Sequence, residues 1–282
     1  MMSVLLRHIV LRLGCSFVLI ALCAPAQAQD KRAAGQDKLI VTADETLEWH
    51  RNENRFYARG TAMAKRGDSR IHGDTLIAHY RDSQENNFDI YKLVAEGSVR
   101  IVSDESTAYG ARAVYDVDKR RAVMTGNDLR LVTPDQTVFA DKRFVYDVRA
   151  GQFTALGNAR IERETTTLKS DKLVAGLVTN DNGKRVIETA KATGNVRITT
   201  PQETVTGERA VYARARDEVE ITGGVTVKRG RNTLHGARAV VDLETQVSRM
   251  FSGTDGKGDG RVRGVFYPEQ DRGAKAETGP KK

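Results

Sequence analysis

The chain has 282 residues, a formal charge of +8, 39% hydrophobic residues and only two cysteines. Both cysteines, Cys15 and Cys23, fall in the first 28 residues. If that segment is removed, disulfides and thiol catalysis are excluded, and stability must come from packing and hydrogen-bonded sheet alone. The basic excess suits anionic partners such as phosphorylated lipids and says nothing about fold.

Taken from the N-terminus, Arg7 and Arg12 precede an apolar run, Leu13 to Ala24, and Ala26-Gln27-Ala28 places small residues where a signal peptidase reads. Twelve residues are too few to cross the roughly 30 Å hydrocarbon core. We therefore expect an export signal over residues 1–28, a mature start at Gln29, a linker over 29–37 and a periplasmic location. Leu22 stands where a lipoprotein signal needs a small residue before Cys23.

From Lys38 onward the chain repeats. A glycine followed by an alternating run recurs at Gly60, Gly97, Gly126, Gly157, Gly194, Gly223 and Gly253, with gaps of 37, 29, 31, 37, 29 and 30 residues. The series repeats after three units. A shift of 97 residues lays Gly60 on Gly157, Gly97 on Gly194 and Gly126 on Gly223. It also lays Val99-Arg100-Ile101 on Val196-Arg197-Ile198, and Arg112-Ala113-Val114-Tyr115 on Arg209-Ala210-Val211-Tyr212. The chain is an internal duplication.

Within each unit apolar and polar residues alternate with period two, the pattern of a half-buried strand, and no helical periodicity is sustained after the signal. Strands are predicted at Gly110–Asp116, Asp141–Asp147 and Gly236–Asp242 and after each motif glycine, the glycines serving corners or bulges. Seven units of two strands predict an all-β fold of about fourteen strands in two facing sheets, seven to a sheet. One inner face receives Leu76, Ala113, Phe144, Leu173, Ala210 and Ala239. The other receives Val99, Ile101, Leu129, Leu131, Ile161, Val196, Ile198, Val225 and Val227. The arginines Arg100, Arg112, Arg160, Arg197 and Arg209 fall on the outward phase. Residues 254–282 read as a charged, mostly disordered tail with one apolar island at 262–267.

Repeated Gly-x-x-Ala-Val-Tyr-Asp and Gly-Asn/Ser-Val-x-Ile units behind an export signal resemble the LptA/OstA family of lipopolysaccharide transport proteins, over residues 38–253. The resemblance implies a twisted β-jellyroll, open at its ends, whose apolar groove shields the acyl chains of lipopolysaccharide, the lipid A part. It implies a periplasmic bridge that pairs by its edges with an inner-membrane anchored partner, with further copies of itself and with the outer-membrane translocon. The groove would then be lined by Leu76, Val99, Ile101, Leu129, Leu131, Phe144, Ile161, Val196, Ile198, Val225 and Val227. The edges would be the strands near Leu39, Val41 and Val247. From periodicity alone, the same inward residues favour a dry core, as in an envelope scaffold or adhesion solenoid, and only the resemblance puts the groove ahead.

No chemistry-bearing constellation accompanies the repeats. His72 and His79 are seven apart, an odd separation that puts them on opposite faces of a strand, so they cannot share a metal. In the loop from Asp255 to Gly260, Lys257 stands where calcium needs an oxygen ligand. No nucleophile elbow, P-loop or zinc-protease motif occurs, and a carbohydrate-active enzyme would need clustered acids that the strands lack. We expect no enzyme activity, no cofactor and no metal. The arginine-bearing strands lack the interleaved aromatics of a nucleic-acid surface.

Overall fold

The computed structural model describes residues 39–82, 88–103, 105–181, 183, 185–245, 247–253 and 261–267. The proposed signal and linker lie outside the described residues, as does most of the tail. Among the described residues there are eighteen strands, all paired antiparallel, with two single-turn 3₁₀ segments.

The strands form one continuous meander. β3 (Arg55–Arg66), β4 (Ser69–Asp82), β5 (Phe88–Ser103) and β6 (Ser106–Asp116) pair in chain order. So do β11 (Gln152–Arg163), β12 (Thr166–Thr179), β13 (Arg185–Thr199), β14 (Thr204–Ala213), β15 (Glu218–Arg229) and β16 (Asn232–Asp242).

Four further rungs are each made of two pieces. β1 (Leu39–Thr42) and β2 (Thr46–His50) both pair with β3. β7 (Arg121–Thr125) and β8 (Leu129–Val132) pair with β6 on one side; on the other, β7 pairs with β10 (Arg143–Asp147) and β8 with β9 (Thr137–Ala140). β9 and β10 lead on to β11. β17 (Ser248–Phe251) and β18 (Arg263–Val265) both pair with β16.

Ten unbroken strands and four split ones give fourteen rungs from eighteen strands. Eighteen strands exceed the fourteen expected, because four of the fourteen rungs are split into two pieces. Each long strand runs through both faces instead of belonging to one, so the stack is fourteen rungs deep rather than seven, on the order of 60 Å at about 4.8 Å per rung. The apolar island in the tail also contributes a strand, β18, to the last rung.

The glycines explain how one strand serves two faces. Registers slip between Arg59 and Ala62, Glu96 and Val99, Leu156 and Ala159, Thr193 and Val196, and Thr222 and Val225. Each slip spans a motif glycine. Gly97 and Gly194 have φ of +73° and +77°, and the residues after them, Ser98 and Asn195, are left-handed too. Two left-handed residues in succession form a bulge that bends the strand without ending it. A Cβ on Gly97 would collide with the Asp74 carboxylate, and one on Gly194 with that of Asp171, 97 residues further on. Gly194→Ala is expected to lower stability by more than about 1 kcal/mol, read as a shift in the urea midpoint at unchanged slope.

Residues before and after the bulges then face one another across a shared interior. A single core cluster runs the length of the stack, from Ile71 through Leu131, Phe144 and Val196 to Leu243. The fold is a twisted β-jellyroll built as two copies of a six-rung unit followed by two further rungs, β16 and β17 with β18. β1 to β8 recur as β9 to β15, with β7 and β8 fused into β15.

Candidate functional site: an apolar chamber at the N-terminal end

The two halves of the jellyroll do not pack equally along the stack. Between rungs one and six lies a cavity of about 380 Å³. One wall is the inward phase of β2 to β6, with Leu47, Phe56, Leu76, Leu93 and Ala113; the other carries Leu39, Val41, Ala64, Ile71 and Ile101. Alanines sit at inward positions of three successive strands, Ala58, Ala78 and Ala95, and leave the space that larger side chains would fill. The volume is within the roughly 300–1,000 Å³ of small-ligand sites.

Toward the middle of the stack the interior closes. Met124, Phe144, Tyr146 and Phe153 fill it to a void of about 30 Å³, with the Phe144 and Phe153 rings 5.3 Å apart. At the far end a space of about 50 Å³ remains beside Glu203, Val227 and Met250. Glu203 is 7% exposed, and burial pushes its carboxyl up against the opposing pull of Arg229.

Aromatic side chains gather where the chamber meets the end of the stack. Trp49 stacks on Phe56 at 5.5 Å, and Phe88 meets Trp49, Phe56 and Tyr80 edge-on at 5.3, 5.0 and 4.9 Å. The Trp49 indole N–H donates to the Tyr80 hydroxyl at 2.8 Å, which satisfies its polar handle. One charged residue lines the chamber, Glu48. The Thr46 hydroxyl, the His50 ring and Arg59 all contact its carboxylate and hold it below the usual range.

The sequence-predicted residues divide into two sets. Leu76 and Ile101 line the chamber. Val99, Leu129, Leu131, Phe144, Val196, Ile198 and Val225 are sealed in the core, and Ile161 and Val227 are half-buried against it. Leu39 and Val41 belong both to the chamber wall and to the exposed first rung. Val247 is exposed but lies just before β17, its carbonyl accepting from the Asp242 N–H. Of the repeated arginines, Arg100, Arg112, Arg197 and Arg209 are exposed and Arg160 is half-buried, over the Phe139 ring. Sequence reasoning missed Trp49, Phe56 and the alanine positions, although they share the inward phase of Leu76.

Among the described residues, no helix is long and apolar enough to cross a membrane. The family model for the LptA/(LptD N-terminal domain) LPS transport protein matches twice, over residues 40–151 and 137–247. The two matches start 97 residues apart, the offset of the duplication. No curated protein matches the chain. Among solved structures, the chain is similar to LptH, the LptA homologous periplasmic component of the conserved lipopolysaccharide transport device from Pseudomonas aeruginosa. The two are 11% identical, with a TM-score of 0.21, over 83% of this chain and 98% of that one. The family model spans most of the jellyroll, rung by rung, and the chain belongs to the LptA/LptD N-terminal domain family of LPS transport proteins.

Proposed function

We propose that this protein is a periplasmic carrier that binds lipopolysaccharide, shields its acyl chains in the apolar chamber and bridges inner- and outer-membrane assemblies through its two end rungs. The observation that carries the reading is the chamber itself, whose wall includes the exposed first rung. Each CH₂ taken out of water contributes about 0.8 kcal/mol, so a multi-chain lipid needs such a shield to cross an aqueous space. The signal-like residues 1–28 agree with export. The sealed residues Val99, Leu129, Leu131, Phe144, Val196, Ile198 and Val225 would meet the cargo only as the two halves part, with Ile161 and Val227 at their margins.

The dry-core scaffold keeps one observation in its favour, the closed interior beyond the sixth rung. A photo-crosslinking residue separates the readings in living cells. Placed at Leu76 or Ile101, it is expected to capture lipopolysaccharide, whereas at Arg100, one position out of phase and exposed, it is not. Equal capture from both phases, or none from either, would refute the chamber as the binding site.

A further inference from the structure

The interleaving of aromatics and cations that the strands lack along their length is present across the rungs. Arg100 of β5 lies opposite Tyr109 of β6, which lies opposite Arg130 of β8. Phe139 of β9 stands between Arg130 and Arg160 of β11, and Arg160 leads through Lys169 of β12 to Arg197 of β13. Their neighbours in sequence turn inward, Val99 and Ile101, Leu129 and Leu131, Val138 and Ala140 among them, so the column points out of the jellyroll. Its seven rungs carry five cations, two rings and no acid. At roughly 4.8 Å a rung the column is about 29 Å long. The Arg130 guanidinium lies 4.3 Å over the Tyr109 ring and that of Arg160 lies 4.1 Å over the Phe139 ring.

Two features set this column apart from ordinary solubilising charge. Arg160, Lys169 and Arg197 oppose one another directly, and like charges across a ladder repel. Elsewhere the outer face sets opposite signs together, as with Glu96 and Arg112 at 2.9 Å. Asp128 and Glu162 pair with Arg130 and Arg160, but among the described residues Arg100, Lys169 and Arg197 have no ion pair. The second feature is the outward column beside it, nearer the strand ends. There Thr107, Thr137, Thr167 and Thr199 supply hydroxyls, interrupted by Val132 and Glu162.

We propose that this outer column is a binding track for an extended acidic glycan, a chain of sugar rings with a carboxylate at every second ring. Tyr109 and Phe139 are two rungs apart, about 9.6 Å, which is close to the repeat of a disaccharide. The two aromatics offer planes to alternate sugars, the guanidinium and ammonium groups donate to the carboxylates, and the threonines exchange hydrogen bonds with sugar hydroxyls. A bilayer presents a plane, whereas the column is one residue wide. Single-stranded nucleic acid stacks successive bases on aromatics, and here a cation separates one ring from the next. The track lies outside the core, takes a ligand without acyl chains and does not rest on the chamber.

The test titrates the full mature chain at low salt with a hyaluronan decasaccharide, which carries one carboxylate per disaccharide, by isothermal titration calorimetry. Saturable binding is expected, about tenfold tighter than to a neutral chitin hexasaccharide and weaker as salt is raised. Arg100→Gln with Arg197→Gln is expected to weaken it about tenfold. Tyr109→Thr installs the residue found 97 positions on, Thr206, and should also weaken it. Arg112→Gln with Arg209→Gln removes the same charge off the column and should leave the affinity unchanged. Circular dichroism checks the fold of each variant, and the comparison of acidic with neutral glycan in the parent needs none. Equal binding of the two glycans, binding of neither, or equal weakening by the two double variants overturns the track. So does a thymidine decanucleotide or a phosphatidylglycerol vesicle that binds more tightly than the glycan and is released by Arg100→Gln with Arg197→Gln, since the column would then serve nucleic acid or a membrane surface.

Discussion

Ala78→Trp is expected to weaken binding of an apolar dye or of lipid A at least tenfold while leaving the melting temperature within a few degrees of the parent. Ala78 lines the chamber between its cross-strand neighbours Phe56 and Leu93, and the added indole has empty space to enter. The counterpart 97 residues on is Ala175, which is 9% exposed and packed in the continuous core. There the same change has no room. Overpacking of that kind costs about 1–3 kcal/mol, so Ala175→Trp should lower the denaturation midpoint, and its folded fraction should still bind. The pair distinguishes a chamber that holds cargo from an incidental packing fault. If Ala78→Trp binds as the parent does, the chamber is not where the ligand sits.

Much of this architecture was legible before any coordinates. The shift that aligns Gly97 with Gly194 in the sequence also aligns β5 with β13 and Asp74 with Asp171, because the same bulge needs the same bare Cα and the same room for a carboxylate. The alternation that put Val99 and Ile101 inside and Arg100 outside holds in the burial. Two things were hidden. The runs before and after each motif glycine count as separate strands in the sequence pattern, whereas hydrogen bonding continues on both sides of the bulge, and each strand therefore serves both faces. The chamber was hidden for another reason. Ala58, Ala78 and Ala95 recur as Ala155, Ala175 and Ala192, yet only the first set surrounds open space. The difference lies in position along the stack, where among the described residues no rung precedes the first, and local sequence does not encode that.

Proline substitution in the first rung is expected to abolish end-to-end association without unfolding the protein. Among the described residues, β1 and β2 are paired on one side only, with β3, and β17 and β18 only with β16. Each end therefore presents unpaired N–H and C=O groups, a template for another strand. The sequence of β1, Leu39-Ile40-Val41-Thr42, has neither a charge nor a proline to block it, and its three apolar residues are 40%, 44% and 37% exposed. Val247 is the poorer test at the other end, since it precedes β17 and its carbonyl is already engaged within the chain. Neighbouring residues of an antiparallel strand point their N–H groups in opposite directions, one toward the paired strand and one away. Of Ile40→Pro and Val41→Pro, one thus removes an internal ladder bond and lowers stability, while the other removes only an edge donor and leaves the melting temperature unchanged. Both should shift the sedimentation profile from chains to single molecules at concentrations where the parent associates, with circular dichroism confirming the fold. Chains of unaltered length from both folded variants would show that the molecules do not join through this rung. A parent that sediments as a single species throughout would restrict the first rung to a partner of different sequence, and the same two variants would then be expected to lose capture by that partner, with an effect in neither excluding the edge.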